Sequence, residues 1–154
     1  MILRKADIND KKALVELRML YIEEDMGPVS QQLENQIRTQ LPDYYERCLN
    51  KELFAYIAEE DGEAVSCCFL LVSEKPANPR FPGGFTGSAL NVYTKPEFRR
   101  HGIAGKLMNM LLDDARQMKL DLIELKASAG SVKLYKSLGF EQDFSPYTNM
   151  KLVL

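Results

Sequence analysis

Histidine is nearly missing from this chain, with His101 the only one. A single imidazole removes any metal centre built on several histidines, and a Ser-His-Asp triad would have to draw on that one residue. Cysteine is scarce as well, at Cys48, Cys67 and Cys68. An odd count with two adjacent thiols fits neither a disulfide framework nor a zinc-ligand spacing, and reads instead as buried structural thiols. There is no surplus of positive charge: the formal net charge is −2, which gives no support to a nucleic-acid-binding surface. No apolar run approaches the length of a membrane span, and the N-terminal residues Met1-Ile2-Leu3-Arg4-Lys5-Ala6-Asp7 lack the apolar core of a signal peptide. A cytoplasmic location without membrane contact is expected. Repeats, low-complexity tracts and domain linkers are absent too.

What is there is ordinary for a globular protein. Hydrophobic residues make up 45% and charged residues 27% of the 154, enough to bury a core without staples in one domain, residues 1–154. Residues 2–5 read as a short strand. Asp7 and Asp10 offer N-caps to a helix carrying Ala13, Leu14, Leu17, Leu20 and Tyr21 at helical spacing, stopped by Gly27-Pro28. Its last turn holds Glu23, Glu24 and Asp25, either a solvated end or an acidic rim for a cationic amine. Residues 30–50 are helical, with Leu33, Ile37 and Leu41 on one stripe and Pro42 expected to break the helix in two. Strands at 54–60 and 64–72 flank the hairpin turn Asp61-Gly62. Residues 73–87, rich in proline and glycine, read as a long loop serving as a lid or a subunit contact, which leaves a homodimer open. A strand over 88–94, an amphipathic helix from 103, and an apolar strand over 120–127 form a right-handed crossover with parallel strands. A short helix over 131–138 stops at Gly139, and 140–144 with 148–153 would be a closing pair of strands. The expected class is an α/β fold with a mixed central sheet flanked by helices.

The crossover contains the most informative stretch, Arg99-Arg100-His101-Gly102-Ile103-Ala104-Gly105-Lys106. A small-residue loop opening a helix gathers unpaired N–H groups and the positive end of the helix dipole at one point, where phosphate binds readily. Arg99 and Arg100 add charge and forked donors. A nucleoside-triphosphate P-loop does not fit, because Arg100 stands where its first glycine belongs and Leu107 follows Lys106. Gly102, Ala104 and Gly105 lack the spacing of a dinucleotide fingerprint. A plain tight turn with solvated arginines remains the other reading of these residues.

Arg99-x-x-Gly102-x-Ala104, preceded by Val92-Tyr93-Thr94-Lys95-Pro96-Glu97-Phe98, resembles the acyl-CoA-binding motif of the GNAT acyltransferase superfamily, as does Leu134-Tyr135-Lys136-Ser137-Leu138-Gly139-Phe140 further on. The order of elements matches that fold along essentially the whole chain. The resemblance implies two central parallel strands that splay apart around acetyl-CoA. It further implies that backbone groups of Val92 and Thr94 pair with the pantetheine arm and polarise the thioester carbonyl, as a peptide pairs with a sheet edge. Arg99 and the amides of Arg100, His101, Gly102, Ile103, Ala104 and Gly105 would hold the pyrophosphate. Tyr135 would be the general acid that protonates the departing thiolate; without the motif it reads as a core aromatic. Ser128 and Ser131 stand where the family often has Asn and Ala, so that Ser128 would offer the CoA arm a single hydrogen bond. The strand before the loop carries Ser88, Leu90 and Asn91 where many members have a glutamate base.

Two classes of function follow. The first is acetyl-CoA-dependent N-acetylation of a small primary amine, or alternatively of a protein lysine or N-terminus. The second is a non-catalytic acyl-CoA-binding regulatory module, which the missing strand carboxylate favours and Tyr135 disfavours. With no carboxylate on that strand, a base for the amine's proton has to come from elsewhere, such as water held by Asn91, Glu23 or Glu24.

Overall fold

Alternation of side chains along two neighbouring strands sets the architecture. The computed structural model describes all of residues 1–154. In β2 (Leu53–Glu60) and β3 (Glu63–Glu74), Ala55, Ile57, Cys67 and Phe69 face one buried layer, and Tyr56, Ala58, Cys68 and Leu70 face the other. With a side-chain period of two, strands buried on both faces must be apolar at nearly every position. Cys67 and Cys68 therefore point to opposite layers, both fully buried as the structural reading requires, whereas Cys48 is only partly buried.

The first layer is covered by α1 (Lys11–Met26) and α2 (Gln31–Cys48), which contribute Leu14, Leu17, Ile22, Leu41 and Tyr45. The second is covered by α3 (Ile103–Gln117) and the short α4 (Val132–Ser137), which contribute Leu107, Met108, Leu111 and Tyr135. β1 (Ile2–Lys5), β4 (Phe85–Thr94) and β5 (Leu122–Glu124) complete a five-stranded sheet in the order β1-β2-β3-β4-β5. All pairs are antiparallel except β4 with β5, the parallel pair expected across the crossover. Leu111 has no exposed surface beneath the sheet. Leu111→Ala is expected to remove about 2–5 kcal/mol of stability, read by urea denaturation, because the void sits among side chains held by strands on one side and a helix on the other.

Local chemistry sets the helix ends. Asp7 accepts from Asn9 N at 2.7 Å, and Asp10 returns a bond from Asp7 N at 2.8 Å, closing a 3-10 turn, Ile8–Asp10, ahead of α1. Asp10 does not cap α1; its carboxylate takes both terminal nitrogens of Arg4 at 2.7 Å.

Four expectations change. Pro42 does not break the second helix: α2 runs unbroken through it. The proline withholds one N–H from the ladder, and buried Leu41 and Tyr45 on either side hold the helix to the sheet. The long loop shrinks to residues 75–84, because β3 extends to Glu74 and β4 starts at Phe85. Gly87 belongs to β4, paired with Val72; a Cβ there would lie 2.7 Å from Leu70 Cδ1 and 3.1 Å from Leu120 Cδ1. The strand expected over 120–127 is limited to Leu122–Glu124, since it meets β4 only at Thr86, Gly87 and Ser88. The closing strands over 140–144 and 148–153 do not form. Residues 141–154 carry no regular structure, and Phe144, Met150, Leu152 and Val153 are more than four-fifths exposed. A strand needs a ladder partner; β5 offers three residues, and Pro146 removes a donor in mid-segment.

Candidate active site

β4 parts from β5 at a defined irregularity. Leu90 pairs with Phe69 and Tyr93 with Cys67, so Asn91 and Val92 together oppose Cys68 in a bulge, with Asn91 at φ +50°. A bulge bends its strand. Beyond Ser88 no strand faces β4 on the β5 side, which leaves the stretch containing Val92 and Thr94 beside an opening.

The loop after β4 is built to free its amides. Lys95 N donates to Val65 O at 2.9 Å, and a 3-10 turn follows at Pro96–Phe98. Arg100 and Gly102 then take left-handed conformations, at φ +68° and +73°. No side chain caps α3, and the first bond into it is Lys106 N to Gly102 O at 3.1 Å. The N–H groups of Arg100, His101, Gly102, Ile103, Ala104 and Gly105 all lack an acceptor within the chain. Six consecutive free donors at the positive end of a helix form an anion cradle.

The charged side chains of the loop diverge. Arg99 turns back: Nε donates to Thr94 O at 2.8 Å, Nη2 to Glu24 Oε2 at 2.5 Å, and the guanidinium lies 5.6 Å from the centre of the Tyr93 ring. Arg99 thus ties the loop to β4 and α1, and Glu24 is engaged in that tie. Arg100 is exposed, and His101, also exposed, holds Phe98 O through Nδ1 at 3.2 Å.

Across the opening, α4 packs against the start of α3, where a Cβ on Gly105 would meet Leu134 Cδ1 at 3.5 Å. The neighbouring Tyr135 is buried, edge-on to Phe140 with ring centroids 5.9 Å apart. Burial, reinforced by Cys68 and Tyr21, raises its phenol above the ordinary value of 10, so it is fully protonated at neutral pH. Ser128 is exposed on the β5–α4 connection and donates to Ser131 Oγ at 3.0 Å.

On the α1 side lies a group that the periodicity reading passed over. Arg18 Nη1 donates to the Asn91 side-chain oxygen at 3.1 Å, and Asn91 Nδ2 donates to Cys67 Sγ at 3.2 Å. The Arg18 guanidinium lies 5.5 Å from the centre of the Tyr21 ring. Burial pushes the Cys67 thiol up to about 12, against the opposing pull of Asn91 and Arg18. The sequence held a signal for this cluster: Arg18 lies four residues from both Leu14 and Ile22, a charge on the apolar stripe of α1. Asn91 is occupied on both polar atoms by side chains, and Glu23 faces α2 beside Glu34 and Arg38.

Comparisons with known proteins bear on the family and the fold. The pattern of the family described as Acetyltransferase (GNAT) family matches residues 15–140. No curated protein matches the sequence significantly. A predicted acetyltransferase from Clostridium acetobutylicum, crystallised with acetyl-CoA, is 25% identical with a TM-score of 0.82, over 97% of this chain and 95% of that one. A GCN5-related N-acetyltransferase from Ralstonia eutropha JMP134 is 25% identical with a TM-score of 0.78, over 99% and 97%. Glucosamine-6-phosphate N-acetyltransferase from Arabidopsis thaliana, 16% identical over 97% of each chain, shares the fold with a TM-score of 0.70. The family pattern spans most of the chain, through the loop at 99–106 and the helix of Tyr135, and this chain belongs to the acetyltransferase (GNAT) family.

Proposed function

We propose that the chain is an acetyl-CoA-dependent N-acetyltransferase acting on the primary amine of a small molecule. The observation that carries this reading is the run of six free amides from Arg100 to Gly105, next to the open stretch of β4. The residues present fit acetyl-CoA: the amide cradle suits a pyrophosphate, and an unpaired strand edge suits the amide-bearing pantetheine arm.

Acetyl-CoA supplies a thioester whose carbonyl carbon accepts the amine. The chain's own groups act around that step. Backbone groups of Val92 and Thr94 orient the acyl end and donate to the developing oxyanion. Attack by the neutral amine forms the C–N bond and breaks the C–S bond; Tyr135 gives its proton to the departing thiolate and regains one released from the nitrogen through solvent. Arg99, held by Thr94 and Glu24, positions the loop. Ser128, exposed beside α4, offers one further hydrogen bond to the CoA arm.

No carboxylate lies on β4, and Asn91 is engaged by Arg18 and Cys67, so the amine arrives already neutral. For an alkylamine of pKa about 10, kcat/KM is expected to rise roughly tenfold per pH unit between about pH 6 and 9. Because Tyr135 ionises above 10, no descending limb is expected in that window. The test is thiol release from acetyl-CoA with a panel of amines. Release that requires an amine and follows this slope supports transfer. Binding of acetyl-CoA without turnover on any acceptor would leave a binding module. A plateau below pH 8 that disappears in Glu23→Gln would identify a carboxylate base and overturn the pH argument.

A further inference from the structure

We infer that Arg18 and the phenols around it seat a small oxyanion, a carboxylate or a phosphate, carried by the amine acceptor. This rests on the acetyl-transfer reading above and narrows its acceptor.

Four arginines are partly withdrawn from solvent: Arg4, Arg18, Arg38 and Arg99. Three of them pair with carboxylates, Arg4 with Asp10 and Glu59, Arg38 with Glu16 and Glu34, and Arg99 with Glu24. Arg18 has no carboxylate within 4 Å, and its one hydrogen bond is the 3.1 Å contact to Asn91. Withdrawing a guanidinium from water without a counter-charge is unfavourable, and the group offers five donors in a fork that matches a planar carboxylate or a phosphate face. Its surroundings are phenolic. Tyr44 and Tyr45 pack with ring centroids 5.8 Å apart, and both join Tyr21 and Cys67 in the same apolar cluster.

The second observation is independent. The Tyr45 hydroxyl is buried and has no hydrogen-bond partner, in a residue only 1% exposed. A buried unpaired hydroxyl is costly and uncommon in folded proteins. Burial raises the phenols of Tyr45, Tyr44 and Tyr21 above their ordinary value, and the Arg18 charge offsets only part of that rise. One oxyanion bound to Arg18 would neutralise the guanidinium and accept from Tyr45.

The position relative to the chemistry is also set. Asn91, the partner of Arg18, sits in the β4 bulge where the strands part, next to Val92, and the centre of the Tyr21 ring lies 5.5 Å from Arg18. Arg18 therefore borders, through Asn91, the stretch of β4 that carries Val92 and Thr94. A purely cationic acceptor is disfavoured there, because Arg18 repels it and Glu24 is already paired with Arg99.

The test uses paired amines of which one member carries the anion, glycine against glycinamide and 2-aminoethyl phosphate against ethanolamine, with rates compared at equal free-base concentration. With the purified protein and saturating CoA, an anionic member is expected to raise the melting temperature and its neutral partner is not; the preferred pair tells carboxylate from phosphate. In acetyl-CoA turnover, Arg18→Gln is expected to lose at least ten times more kcat/KM on the anionic member than on the neutral one, chiefly through KM. Arg18→Lys should recover part of that loss, and Tyr45→Phe should weaken anionic acceptors several-fold. Equal behaviour within both pairs, or an equal loss on both members in Arg18→Gln, overturns the inference even if acetyl transfer is intact. Discrimination in melting without turnover on any amine would instead retain oxyanion binding at Arg18 and refute acetyl transfer.

Discussion

Replacing Tyr135 with phenylalanine is expected to lower kcat about a hundredfold while leaving acetyl-CoA binding and folding nearly intact. The phenol is buried and held well protonated, which is the condition for donating to a thiolate at neutral pH. A positioned general acid contributes on the order of 10²–10⁴ in rate, and loss of the hydroxyl alone removes that contribution. The edge-on contact with Phe140 uses the ring and survives the change. Stopped-time thiol release at saturating acetyl-CoA and amine gives kcat, and the melting temperature with and without acetyl-CoA gives the rest. A fall confined to KM for acetyl-CoA would assign Tyr135 to binding. An unchanged kcat would remove it from the chemistry.

The second large effect is expected at Gly102. Its φ of +73° is a left-handed conformation, and a Cβ there would meet nothing within 4 Å. Steric room is therefore not the constraint; backbone conformation is. A β-branched residue in this region is strained by about 1–3 kcal/mol. Relief of that strain turns the peptide away and misdirects the free amides on either side. Gly102→Val is expected to weaken acetyl-CoA at least tenfold, whereas Gly102→Asn, which tolerates the left-handed region, should retain most of the affinity. Calorimetric titration distinguishes the two. Equal weakening by both variants would point to the space outside Gly102, and equal tolerance would separate the loop from the ligand.

The sequence was most legible where structure is decided locally. The six free amides fall on the small-residue stretch that stood out in the chain, because two left-handed residues and an uncapped helix start are set within a few positions. The amphipathic face of α3 was likewise readable from period alone, and the burial of Cys67 and Cys68 from the number and adjacency of the cysteines. Where distant groups decide, the local sequence says less. Pro42 passes through α2 because Leu41 and Tyr45 are anchored on a sheet that the local sequence does not reveal. Gly87 looked like loop punctuation, yet it is required by the approach of Leu70 from the neighbouring strand. Residues 140–144 and 148–153 read as a closing pair of strands, but an apolar segment does not supply its own ladder partner, and β5 offers only three residues. Arg18 shows a subtler limit. Its place on an apolar stripe is visible in the sequence, while the absence of a carboxylate around it depends on four separate elements coming together.

The central claim is that the backbone from Arg100 to Gly105 receives the pyrophosphate of acetyl-CoA. Amide chemical shifts followed by heteronuclear NMR during an acetyl-CoA titration test it most directly. The account predicts that the amides of Arg100, His101, Gly102, Ile103, Ala104 and Gly105 show the largest saturable changes, and that CoA without its acetyl group reproduces them. Saturable binding that leaves these six amides unmoved would contradict it.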